Sequence, residues 1–208
     1  MICWIRGNNV YIRIPKNGIS TFSKFLKSHG YQEVNLFDID VDFEKLNLWG
    51  HITDPLVRHT KGVAEYINLN PDVDYTNPVI GKMLVSGMFD CHTYTIHMML
   101  GHLITYPICW IPLDVKITKW NQYPQPLKEL NGDDLTNAYF KEQGLEFRVS
   151  ELDHMNTANA DDLRLREEVD KLKKIHHEEY LGVVKNVLEA DLLLYHKTLA
   201  LYREKYSK

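Results

Sequence analysis

The chain has 208 residues, 44% of them hydrophobic and 25% charged, with a formal net charge of −4. That apolar share excludes a disordered chain and can fill the core of one generous domain. The acidic balance argues against a general nucleic-acid binder but leaves room for one local basic cleft for a small anion.

Residues 1–14 read as two short strands, Met1–Arg6 and Asn9–Ile14, around the turn pair Gly7-Asn8. Val10, Ile12 and Ile14 alternate with Tyr11 and Arg13, and Pro15 ends the run because it has no N–H for a ladder. A helix is predicted from near Ser20, with Phe22, Phe25 and Leu26 on one face and Gly30 as its stop. Residues 31–46, with Asp38, Asp40, Asp42 and Glu44, read as a loop with a short helix. Leu46–Ile52 is a strand candidate. Asp54-Pro55 opens a helix whose Val57, Thr60, Ala64 and Ile67 are expected in the core. Residues 70–78 read as loop, 79–103 as mostly helical, and 104–113 as another strand. Residues 121–133 are loop, Leu145–Val149 is a short strand after a helix ending near Gly144, and the chain is helical from Asp161.

Strands alternating with helices predict an α/β architecture with a parallel or mostly parallel sheet, flanked by helices and closed by a helical C-terminal region. We expect a single domain over 1–208, with the helices of about 161–206 packing on it. Cys3, Cys91 and Cys109 form no CxxC pair, so a disulfide framework is not expected. No apolar run has bilayer length and no leader pattern opens the sequence. The expectation is a cytoplasmic protein without a membrane or nucleic-acid partner.

The stretch Tyr11–Leu26 carries the most chemistry. A strand leads into Pro15-Lys16-Asn17-Gly18, and Ser20-Thr21 then opens a helix. A helix start offers unpaired N–H groups and the positive end of the dipole, which together favour phosphate. Gly18 lets backbone approach a ligand, Lys16 adds a compact charge, and two hydroxyls add donors. This is not a Walker A loop, in which the lysine follows the second glycine. The plainer alternative is a strand–turn–helix joint with an N-cap and an exposed lysine.

Pro15-Lys16-Asn17-Gly18-Ile19-Ser20-Thr21 resembles the 5′-phosphosulfate loop of sulfotransferases, commonly written PKxGxTS. Thr53-Asp54-Pro55-Leu56-Val57-Arg58-His59-Thr60-Lys61 is similar in order and spacing to the family's RDPxxRxxS signature for the 3′-phosphate. Thr53 stands in place of its arginine and Lys61 in place of its serine. Asp90-Cys91-His92 resembles the Asp-x-His element of the carbohydrate sulfotransferases, and Asp191 with Leu194-Tyr195 resembles the family's closing D-x-x-L-Y helix.

The resemblance implies a P-loop-like fold and a sulfotransferase using 3′-phosphoadenosine 5′-phosphosulfate (PAPS). Sulfuryl would pass to a hydroxyl acceptor, such as one on a carbohydrate, without a metal. Lys16 would stabilise the departing phosphate, and Asn17, Gly18, Ile19, Ser20 and Thr21 would hold it. Thr53, Arg58 and Lys61 would take the 3′-phosphate, with Arg58 and Lys61 sharing a helix face. Positioning and electrostatic stabilisation carry such a transfer. His92 is the first candidate for the base that takes the acceptor's proton, with His29, Asp38 and His51 competing.

His92, His97 and His102 cannot line one face of a helix, since steps of five residues turn it by about 500°. Trp110, Trp120 and Tyr123 could stack on a sugar or adenine, or serve as core or loop anchors. The segment Glu167, Glu168, Asp170, Lys171, Lys173, Lys174 reads as a solvated helix face. Two other functions compete: an inactive or different P-loop-like nucleotide-binding module, and a helical interaction protein. The acceptor and oligomeric state stay open.

Overall fold

A two-residue connection can join only antiparallel neighbours, and it does so here. In the computed structural model, β1 (Ile2–Arg6) and β2 (Asn9–Ile12) pair in register from Cys3↔Ile12 to Arg6↔Asn9, and Gly7 takes φ +56° in the turn. The structure describes residues 1–17, 19–36, 38–114, 117–119, 128–149 and 160–206, with backbone alone for 19–21, 117–119, 128–129 and 160.

The chain forms two compact units. The first comprises Met1–Thr53, His102–Met155 and Leu194–Lys208, and the second Asp54–Gly101 and Asn156–Leu193.

The first unit is built on a five-stranded sheet ordered β3-β1-β2-β4-β5, where β3 is Gln32–Asn35, β4 Asn47–Ile52 and β5 Ile108–Pro112. β1 pairs antiparallel with both β2 and β3, while β2–β4 and β4–β5 are parallel. The sheet is therefore mixed, not mostly parallel. The Gly7-Asn8 hairpin imposes one reversal, and β3 adds another by returning along β1. β3 was expected to be loop. Its sequence, Gln-Glu-Val-Asn, carries no apolar alternation, and its main-chain pairing with β1 makes it a strand. Between β3 and β4 a 3₁₀ turn, Phe43–Lys45, is capped by Asp42.

α1 (Ile19–Ser28) follows β2. α5 (Gly132–Glu142) starts from a capping box between Asn131 and Asp134. Their apolar sides meet in a core that includes Tyr11, Phe22, Phe25, Trp49, Tyr139 and Phe140. A separate ribbon joins β6 (Ile117–Lys119) to β7 (Lys128–Leu130), the latter inside a stretch expected to be loop. Residues 145–148 form no strand and follow the helix end as irregular chain.

The second unit is helical. α2 (Pro55–Leu69) is capped by Asp54, whose carboxylate accepts from Leu56 N, with proline in its first turn. Its buried face holds Thr60, Val63, Ala64 and Ile67, whereas Val57 is exposed, not in the core. The start of the stripe fell one residue off because Arg58 and His59 take the inward positions there.

The segment read as mostly helical over 79–103 holds two helices, α3 (Pro78–Ser86) and α4 (Ile96–Leu100), followed by the 3₁₀ turn Gly101–Thr105. Gly87 ends α3 in extended backbone, and the Asp90 turn fills the gap. α6 (Ala160–Ile175) and α7 (His177–Val183) complete the unit, with Leu165, Val169 and Leu172 packed on α2 and α3 residues. One π turn, Val184–Leu188, leads into α8 (Glu189–Tyr206). Among the described residues, no helix is long and apolar enough to cross a membrane.

Candidate functional site

The parallel pairing of β2 with β4 brings the ends of both strands to one edge of the sheet. In sheets of this kind ligands bind outside the carboxyl ends of parallel strands. There, Pro15 and Lys16 form a turn, and Lys16 adopts φ +66°. Among the described residues no other non-glycine has a positive φ. For a long side chain this conformation costs on the order of 1–2 kcal/mol, so the fold around it must hold it.

Asn17 supplies that hold. It is fully buried, its Nδ2 donates to the His51 carbonyl at 2.8 Å, and its Oδ1 accepts from the Thr53 hydroxyl at 2.8 Å. Its backbone N also closes a turn onto Ile14 O at 3.2 Å. The loop is therefore bolted to the end of β4 immediately before α1 begins. Asn17 and Thr53, both expected on the cofactor, are hydrogen-bonded to each other. Gly18 lies outside the described residues, as do the side chains of Ile19, Ser20 and Thr21, whose backbone forms the first turn of α1.

Under this loop sits His51, fully buried between Tyr11 and Thr136. The Thr136 hydroxyl donates to Gly132 O at 2.7 Å, so its oxygen accepts from His51 Nε2 at 3.1 Å. Nδ1 then accepts from the Tyr11 hydroxyl at 3.1 Å. The network assigns the neutral Nε2–H tautomer. Burial pushes the ring pKa down to about 3. With its lone pair committed to Tyr11 and no exposed surface, His51 is not available to take an acceptor's proton. His29, another competitor for that role, packs its ring on Phe25 and Phe147, and Asp38 accepts from Asn35 at the surface.

The remaining expected site residues belong to the second unit. Arg58 is 2% exposed. Its Nη2 donates to the Tyr94 carbonyl and lies 3.9 Å from Asp191 Oδ2. Desolvation lowers its pKa, and the Asp191 carboxylate opposes that shift. Lys61 is half-buried, so the two residues of one expected face occupy different environments. Asp54 and Pro55, from the stretch expected to take the 3′-phosphate, act as the cap and first turn of α2.

His92 is partly exposed. Asp90 accepts from its backbone N at 2.8 Å and approaches ring Nδ1 at 3.0 Å, so the Asp-x-His element is one local turn. Among the described residues no group of three His, Cys, Asp or Glu is placed to hold a metal.

Two clusters escaped sequence reasoning. Asp191, fully buried, accepts from Ile96 N at 2.7 Å, His97 N at 3.3 Å and His97 Nδ1 at 2.6 Å, capping α4 while facing Arg58. Lys173, expected on a solvated face, is 7% exposed. Its Nζ donates to Thr60 Oγ1 at 2.7 Å and Tyr180 OH at 3.3 Å. A signal for it existed: Lys173 lies eight residues after Leu165 and four after Val169, on the apolar stripe of α6. Of the aromatic candidates, Trp110 is buried in β5, and Trp120 and Tyr123 lie outside the described residues.

No protein-family model matches the chain, and neither a curated protein nor a solved structure is significantly similar to it.

Proposed function

We infer that the chain is a sulfotransferase that takes PAPS and passes its sulfuryl group to a hydroxyl acceptor. One observation carries this reading. A lysine is held in the left-handed backbone region between a parallel strand and a helix start, by an asparagine bolted to the neighbouring strand. Strain of this kind persists where surrounding structure enforces it, and it gathers at ligand clamps. A helix start follows this loop at Ile19, and the unpaired N–H groups of a helix start suit an anionic group.

In this reading the acceptor oxygen forms a bond to sulfur as the bond from sulfur to the 5′-phosphate oxygen breaks. Charge grows on that leaving oxygen, and Lys16 stabilises it. The acceptor's proton passes to a base within hydrogen-bond reach of the acceptor.

A second reading has its own support. Thr53 commits its hydroxyl to Asn17, and Arg58 is buried against Asp191 and the Tyr94 carbonyl. Both residues were expected to serve the 3′-phosphate. A nucleotide-binding module that makes no use of that phosphate would tolerate both arrangements.

Calorimetry with 3′-phosphoadenosine 5′-phosphate separates the two. Binding that weakens by about tenfold or more in Lys16→Ala supports the sulfotransferase reading. Equal or tighter binding of ATP or GTP supports the second. If none of these nucleotides binds, both are wrong. Turnover with labelled donor across a panel of hydroxyl acceptors then identifies the substrate.

A further inference from the structure

The second unit contains an open pocket of about 450 Å³ whose lining includes Leu56 and Thr60 of α2, Asp170 and Lys173 of α6, and His177 and Tyr180 of α7. Lys173 is the unusual member. An amine on a four-carbon stem normally reaches water, yet this residue is 7% exposed.

Its Nζ has two acceptors, Thr60 Oγ1 at 2.7 Å and Tyr180 OH at 3.3 Å, and sits 4.4 Å from the Tyr180 ring centroid. The Thr60 hydroxyl reaches Leu56 O at 3.2 Å and Asp170 Oδ1 at 3.4 Å, so its oxygen is free to accept from the amine. A neutral amine has two hydrogens and one lone pair. The two acceptors take the hydrogens, and the lone pair remains. Tyr180, accepting from the amine, keeps its own proton to give.

We propose that Lys173 is a nucleophilic amine that condenses with small carbonyl compounds entering this pocket. The Nζ lone pair forms a C–N bond at the carbonyl carbon while the C=O π pair moves to oxygen, which takes up a proton released by the nitrogen. The carbinolamine then loses water as the C=N bond forms: Tyr180 is placed to donate the proton that the departing hydroxyl needs, and the last N–H proton of the nitrogen returns to Tyr180. The balance is one amine and one carbonyl in, one imine and one water out, with no change of oxidation state.

The electrostatics agree. Desolvation draws the Lys173 pKa down to about 8, against the opposing pull of Asp170 and Asp54. The groups around the amine are Asp54 at the cap of α2 and His59 within it, Asp170 and Lys174 from α6, and His177 and Tyr180 from α7. His59 stays uncharged near neutral pH, its pKa pushed down to about 3.

The test uses the intact wild-type chain, propanal as the probe and borohydride to reduce any imine, followed by peptide mass spectrometry. Lys174, the adjacent residue on the same helix, is the internal reference because it is exposed. At pH 7.5 an amine of pKa about 8 has on the order of a hundredfold more neutral form than an ordinary lysine. Labelling of Lys173 is therefore expected to exceed that of Lys174 by more than about tenfold, with half-maximal rate near pH 8. In Tyr180→Phe the Lys173 labelling rate should fall several-fold while that of Lys174 is unchanged. Equal labelling of the two lysines, or a Lys173 rate still climbing at pH 10, overturns the proposal.

Discussion

Replacing Asn17 by alanine tests the tether on which the loop geometry depends. The substitution removes two hydrogen bonds of 2.8 Å from a fully buried position. It strips a donor from the His51 carbonyl and an acceptor from the Thr53 hydroxyl, which is itself 3% exposed. Leaving a buried polar group unpaired costs about 1–3 kcal/mol. The threonine hydroxyl can rotate and recover part of its share, so the expected loss is about 2–4 kcal/mol. Given a urea m-value of about 3 kcal/mol/M, the midpoint should fall by roughly 1 M.

Tryptophan fluorescence is the right readout, because none of the four tryptophans lies in the segments of the second unit. Thr53→Val should cost less alone, and the double variant should show a coupling of about 1 kcal/mol. A midpoint shift below about 0.2 M for Asn17→Ala, or strict additivity with Thr53→Val, would show that Asn17 does not hold the loop to β4.

Four further outcomes are expected. Lys16→Gly should leave stability unchanged or raise it by up to about 1 kcal/mol, because glycine accepts φ +66° without strain; a clear loss in urea unfolding would contradict this. Stability of the first unit should fall with acidification between pH about 6.5 and about 3. An unfolded histidine binds its proton near the upper value and native His51 only near the lower. The stability from this group is therefore complete above pH about 6.5 and is lost by up to about 1.4 kcal/mol per unit below it; His51→Gln should flatten that slope in fluorescence-monitored unfolding.

Gly62→Ala would gain about 1 kcal/mol in helix propensity on an open face. Its Cβ would collide here with the His92 carbonyl, so the melting temperature should drop by several degrees instead of rising. Asp191→Asn leaves Arg58 buried without a counter-charge and should destabilise the second unit by about 3–5 kcal/mol. A thermal midpoint near wild type by circular dichroism would refute that role for Asp191.

Local signals in the sequence located most elements near the loop. Gly7-Asn8 set the hairpin, Pro15 ended the second strand, and Asp54-Pro55 started α2 where the cap hydrogen bond now lies. Such features depend on a few adjacent residues, so a linear reading reaches them. The turn around Lys16 was legible in the same way, as a joint between a strand and a helix.

What those residues touch was decided elsewhere. Asn17 meets Thr53, 36 residues away, because β2 and β4 are parallel neighbours. β3 is a strand only because β1 offers it an open edge. His51 is neutral because Tyr11 and Thr136 close on it, the latter from 85 positions away. Arg58 and Lys173 carry charged side chains that composition assigns to solvent, yet their partners come from helices distant in the chain. Burial and charge pairing are sums over such distant neighbours. Local residues therefore determined where the main turns, caps and most helices begin, and only the tertiary structure determined which polar groups became buried and paired.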